Sequence, residues 1–179
     1  MDPRYPAAPW GGFLKGISVA VTLLLLGISL LLAFVTPIHA HAPPSLHRAV
    51  SALPLIILLA AALFVVRGYE LRDGVLQVYR LCWVTRVALG ELREATIDPQ
   101  AGSGSLRLVG NGGLFSFSGW FRNAKLGRYR AFVTDWQQAV VLRTSTCTVV
   151  LSPANPAGFV RDLQASRTPE RKQGTKVRR

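Results

Sequence analysis

Acidic side chains, cysteines and histidines are scarce in this chain of 179 residues: nine Asp and Glu stand against 21 Lys and Arg, with two cysteines and three histidines. Cys82 and Cys147 lie far apart and fit no Cys-x-x-Cys spacing, which excludes a cysteine zinc site. Both sit in apolar, strand-like surroundings and are expected to be buried thiols. His39, His41 and His47 all fall in one short loop, away from most serines and aspartates, so no Ser-His-Asp set assembles. That loop also has no cysteine or carboxylate to complete a metal shell around its imidazoles. Glu91 and Glu94 stand among arginines and read as solvated surface. The glycine clusters "GSGS" and "GNGGLF" form no phosphate cradle, since the first lacks a lysine and the second leads into a strand. The expectation is a non-enzymatic protein without cofactor or metal.

What the chain has in abundance is apolar and cationic residues, 50% and a formal charge of +12, and the two are segregated. Gly16 to Val35 carries no charge over roughly the 20 residues that cross a hydrocarbon core as a helix. A second uncharged run, 49–66, is near the lower length limit and holds Pro54 early enough to bend rather than break a helix. A cleaved signal peptide is not expected, because the first run exceeds a signal core, prolines follow the Ala40-His41-Ala42 site, and another apolar run comes next. Arg4 and Lys15 precede the first run, Arg48 alone stands in the connector, and Arg67 and Arg72 follow the second. By the positive-inside rule both termini face the cytoplasm. The expected layout is a cytoplasmic segment 1–15, a transmembrane hairpin 16–66 with spans 16–35 and 49–66, a cytoplasmic domain 67–165 and a disordered basic tail 166–179. Such a chain is a multi-pass protein of the inner (plasma) membrane, with Trp10 and Phe13 at the interface. The tail has six basic residues against Glu170 and little to bury.

From Gly68 to Leu163, short β-branched and aromatic runs alternate with Gly, Asn and Asp, the pattern of an antiparallel sheet or barrel. Asp73-Gly74 suits a two-residue hairpin turn. Further strands are expected at Val84 to Leu89, Arg93 to Ile97, Leu106 to Val109, Ala139 to Arg143 and Cys147 to Leu151. Asn155 caps a closing helix, Pro156 takes its first position, and Phe159, Val160 and Leu163 form its apolar stripe.

The segments "GLFSFSGWF", "LGRYRAFVTD" and "VVLSPANPAGFVRDL", set after an apolar hairpin, resemble the bacterial pleckstrin-homology-like (PH-like) family of membrane proteins. The resemblance covers roughly 68–164. It implies an α+β membrane protein in which a mostly antiparallel PH-like barrel, capped by a C-terminal helix, hangs from a two-helix transmembrane hairpin. Phosphoinositide binding does not carry over, because the turn between the first two strands is only Asp73-Gly74 beside Arg72.

Parity divides "GLFSFSGWFRNAKLGRYRAFVTD" between two faces. Phe115, Phe117 and Phe121 are assigned to the barrel core with Tyr129, Ala131 and Val133. Trp120, Arg122, Lys125, Arg128 and Arg130 remain outside as a basic hairpin with one exposed tryptophan. These five residues are the candidate contact with anionic lipid or an acidic protein partner, since each cation near an anionic bilayer surface contributes about 1 kcal/mol. RNA stacking on the aromatic strand is the weaker reading, because the flanking elements are strands rather than the alternating helices of an RNA-recognition motif. The chain is therefore expected to be a membrane-anchored binding or scaffold module whose partners are membrane lipids. The alternatives are assembly with itself or with another membrane protein, in a transport or envelope complex. No nucleic-acid partner is expected.

Overall fold

The computed structural model describes residues 4–34, 44–72 and 74–167. His39, His41 and Asp73 lie outside them, as do residues 168–179 of the expected tail. Two long apolar helices come first. Helix α1 spans Gly12–Phe34 and helix α2 spans Pro44–Leu63. Each has the length and composition to cross a bilayer, and most of the side chains on both are exposed. Helix α1 starts four residues before the expected span. Helix α2 starts at Pro44, where a missing amide donor costs nothing, and stops at Leu63. Val66, expected at the end of the span, instead opens a strand, because β-branched Val65 and Val66 feed directly into the sheet. The helices run antiparallel and are tied by the Ser29 hydroxyl, which donates to the Ser51 carbonyl at 2.6 Å. In an apolar medium such a hydroxyl needs a partner.

The remainder forms two sheets. The first has strand order β1-β2-β3-β4, from Tyr5–Pro6, Val66–Arg72, Val75–Arg80 and Val84–Ala88. The second has order β5-β9-β10-β8-β7-β6, from Leu92–Ile97 (β5), Leu106–Gly112 (β6), Phe117–Asn123 (β7), Gly127–Val133 (β8), Val140–Thr144 (β9) and Thr148–Leu151 (β10). All pairs are antiparallel except β8 with β10, which is parallel. The expected PH-like barrel takes the form of two packed, mostly antiparallel sheets. Their principal core lies between them and contains Tyr69, Leu76, Val78, Phe132, Val140, Leu142, Val149 and Leu151. Helix α3, Pro156–Arg167, closes this core with Phe159 and Leu163, and Asn155 caps it by accepting from the Gly158 amide at 2.9 Å. It runs two residues into the segment expected to be tail. Each fully buried apolar side chain of this kind stabilises the fold by about 1.5–3 kcal/mol.

A second core lies on the other face of the six-stranded sheet. There Phe117, Phe121, Tyr129, Ala131, Val133 and Val141 pack with Ala101 and with Leu14 of α1. Parity thus separates the side chains as expected, but this aromatic face points away from the inter-sheet core. Phe115 departs further: it precedes β7 in an irregular turn, is half-buried, and holds a left-handed φ of 65°. Cys82 also departs from expectation. It is exposed in the β3–β4 turn, and Cys147 is half-buried.

The N-terminal segment is part of this domain. Tyr5 and Pro6 pair with Tyr69 and Gly68, Ala7 bridges Pro153, and the Ala8 amide donates to the Ser152 carbonyl at 2.7 Å. The segment therefore runs along the seam between the two sheets before α1 begins.

Candidate functional site

Strands β7 and β8 pair so that Trp120 faces Arg130 and Arg122 faces Arg128. Period-two alternation puts these four side chains on one face, with Ser118 and Phe132 continuing the row inward. The row is built from stacked rings and guanidinium groups. Arg128 lies 4.4 Å from the centre of the Trp120 ring and Arg130 lies 5.4 Å from it, so the tryptophan is half-buried rather than open. Arg130 is also 5.2 Å from the Phe132 ring, and its Nε is buried without a hydrogen-bond partner.

A residue from the other sheet completes the row. Arg80, the last residue of β3, approaches Phe132 at 5.5 Å, Phe64 at 5.3 Å and Trp83 at 6.0 Å. Only 8% of Arg80 is exposed. Its Nη1 donates to the Phe64 carbonyl at 2.7 Å and its Nε to the Thr85 hydroxyl at 2.9 Å. The Phe64 carbonyl directly follows α2 and also accepts from the Ser116 hydroxyl at 3.0 Å, so a cation meets the partial negative charge of a helix end. Burial, and then the charge of Arg130, lowers the Arg80 pKa to about 10. Among the described residues, no carboxylate pairs with Arg80, Arg128 or Arg130.

The five sequence-chosen residues thus divide. Trp120, Arg128 and Arg130 come together. Arg122 is exposed directly opposite Arg128, and like charges in that relation disfavour the pairing slightly. Lys125 lies in the turn beyond and forms an ion pair with Asp98 at 2.6 Å. Arg80, Phe64, Trp83 and Phe132 were missed. One signal was readable for Arg80: in "VLQVYR" it shares parity with Leu76 and Val78, the two inward residues of β3.

The site lies beside the helices. The turn 113–116 rests on α1, where the Ser18 hydroxyl donates to the Gly113 carbonyl at 3.2 Å and accepts from the Phe115 amide at 3.0 Å. Phe115 packs against Trp10 with ring centres 5.7 Å apart, and Phe64 meets Trp83 edge-on at 5.2 Å. Phe13 is exposed and stacks over Phe117.

The family model described as bacterial PH domain matches residues 67–166. No curated protein and no solved structure matches the chain.

Proposed function

The chain belongs to the bacterial PH domain family, and from that premise we propose that it is a membrane-anchored, non-enzymatic binding or scaffold module. Its PH domain faces the cytoplasm at the inner membrane and contacts anionic lipid. The observation that carries this reading is the attachment: the chain enters α1 from the seam of the domain at Gly11–Gly12 and leaves α2 into β2 at Val66. Both helix ends therefore belong to one side, and the domain is held against that surface at two points. The positive charges flanking the helices, Arg4, Lys15, Arg67 and Arg72 against Arg48, favour the cytoplasm for that side. The lipid contact is assigned to the basic hairpin, with Trp120, Arg122, Lys125, Arg128 and Arg130.

The test uses the full chain in oriented inner-membrane vesicles and in nanodiscs. Protease should reach residues 67–167 only from the cytoplasmic face. Anionic lipid should co-purify in excess over its share of the bilayer, and a variant lacking the five side chains should lose that excess. Equal lipid retention by the two proteins removes the lipid reading.

A second reading is supported by β6. This strand is an edge of the six-stranded sheet, and Leu106, Leu108 and Val109 on it are 72%, 48% and 68% exposed. An open apolar edge suits strand addition by another protein. On this reading the chain is a subunit of a transport or envelope complex, and mild-detergent purification yields a stoichiometric assembly.

A further inference from the structure

We infer that Arg80, Arg130 and Arg128 form a binding site for a phosphate group, presented by a lipid headgroup at the level where α2 leaves the bilayer. The inference rests on the reading that the domain lies against the membrane. It goes beyond the basic hairpin by adding Arg80 from the other sheet and by leaving out Lys125, whose charge Asp98 already meets.

The arrangement is a single row. From the end of α2 it runs Phe64 and Trp83, Arg80, Phe132, Arg130, Trp120, Arg128, with each guanidinium 4.4–6.0 Å from the rings beside it. Arg80 already donates from Nε to the Thr85 hydroxyl and from Nη1 to the Phe64 carbonyl, so the donors for phosphate oxygens come chiefly from Arg130, whose Nε is unpartnered, and from Arg128. Stacking on a ring does not neutralise a charge. Arg80 is nine-tenths buried, its electrostatic neighbour is another arginine, and the Arg130 Nε has no acceptor. A buried cation without a counter-charge is costly, and Arg80 with half-buried Arg130 beside it carries that cost until an anion arrives, while exposed Arg128 adds its charge at the open end of the row. Among the described residues, Arg80 is met by neutral acceptors, the Phe64 carbonyl at the end of α2 and the Thr85 hydroxyl.

The depth selects the ligand. Arg80 bonds the carbonyl immediately following α2, so its guanidinium lies at the edge of the apolar layer, where lipid phosphates reside. Exposed Leu81 and half-exposed Trp83 and Phe64 flank it and suit the adjacent acyl and glycerol region. A soluble phosphate shares the headgroup chemistry but gains nothing from these apolar neighbours.

The experiment uses the full chain in nanodiscs of phosphatidylcholine with increasing phosphatidylglycerol, with bound lipid counted by native mass spectrometry. The wild type should retain phosphatidylglycerol preferentially, and Arg130→Gln should reduce that preference roughly tenfold, the value of one charge-assisted hydrogen bond. Arg130→Lys should recover part of it. Arg143→Gln should leave it within about twofold, because that exposed cation on β9 already faces Glu94 at 3.7 Å and stands outside the row. Thermal unfolding of each variant separates loss of the site from loss of the fold. A second arm adds inorganic phosphate to phosphatidylcholine discs: lipid preference without phosphate uptake supports the headgroup source, and Arg130-dependent phosphate uptake supports the same site with a soluble anion. Preference unchanged in Arg130→Gln, or reduced equally in Arg143→Gln, overturns the site. Tryptophan quenching by brominated phosphatidylcholine, reduced in Trp83→Phe, tests the underlying reading independently. Without that quenching the membrane apposition itself fails, whereas quenching with no headgroup preference rejects the phosphate site alone.

Discussion

Ser18 on α1 and Gly113 in the β6–β7 turn are joined by a 3.2 Å hydrogen bond from hydroxyl to carbonyl, and the same hydroxyl accepts the Phe115 amide. A helix that the sequence marks as a membrane span is thus wired to the turn that leads into β7. Ser18 is 2% exposed, so neither backbone group finds water when the hydroxyl is removed. Ser18→Ala should lower stability by about 1–3 kcal/mol. Hydrogen exchange at residues 113–116 should accelerate while β9 and β10 stay protected. Thermal unfolding in detergent together with exchange mass spectrometry checks both parts, and unchanged exchange in the turn would count against this coupling.

Two glycines on β7 and β8 predict opposite severities. Gly119 faces Gly110 across β6 and β7 with φ of 144°, and a Cβ on Gly119 would overlap the Val109 carbonyl oxygen. Gly127 has φ of 66°, with nothing near the place its Cβ would occupy. Gly127→Ala should cost about 1–2 kcal/mol, the conformational penalty alone. Gly119→Ala carries a penalty for its φ as well as the backbone clash, so it should lose more and yield little folded protein. Comparison of the two melting temperatures decides it, and a Gly119→Ala as stable as Gly127→Ala would rule out the close strand approach.

Tyr69 predicts an alkaline limit to stability. Its hydroxyl donates to the Phe132 carbonyl at 2.6 Å and accepts the Ser152 amide at 3.2 Å, and burial raises its pKa to about 12. The unfolded phenol ionises near pH 10. Between these values the unfolded chain has lost a proton that the folded chain retains, so stability falls as pH rises from about 10 to 12, by on the order of 2 kcal/mol. Tyr69→Phe should be less stable at pH 8 by about 1–3 kcal/mol, because the carbonyl and amide lose their partner. It should also show a shallower decline above pH 10. Denaturation followed across pH 8 to 12 in both proteins gives the two slopes, and parallel curves would remove Tyr69 as the titrating group.

How far these features were legible depended on their range along the chain. The strands and α3 follow local signals: "VLQVYR" alternates, Gly74 turns with φ of 72°, and Asn155 and Pro156 mark a helix start. Faces were legible too, since Trp120, Arg128 and Arg130 do share one side of β7 and β8. What lay across that face was not. The partner of Phe132 is Arg80, 52 residues earlier in another sheet, and nothing local marks the two as neighbours. The seam strand was the hardest of all, because Pro6 and Pro9 in "RYPAAPW" suppress any strand pattern. Its pairing is supplied by Tyr69, Gly68 and Pro153, more than 60 residues away.

That seam strand makes the last prediction. The family match begins at residue 67, yet Tyr5 packs edge-on against Phe159 with ring centres 4.9 Å apart and donates from its hydroxyl to Asp162 at 2.8 Å. Ala8 is buried, and its carbonyl accepts the Thr134 hydroxyl at 2.7 Å. A chain cut to residues 66–167 would leave Phe159 partly uncovered, the Ser152 carbonyl without the Ala8 amide, and the Thr134 hydroxyl with only its 3.1 Å contact to the Ser152 hydroxyl. Such a fragment should melt well below the same domain carrying the segment, since each buried polar group left unpaired costs about 1–3 kcal/mol. A synthetic peptide of residues 4–11 added in trans should raise the fragment's melting temperature in a saturable way, because it binds the folded form alone. Within the peptide, Tyr5→Ala should abolish most of that rise and Pro9→Ala little of it, since Pro9 is exposed. A fragment indifferent to the peptide would mean that the segment rests on the domain without stabilising it.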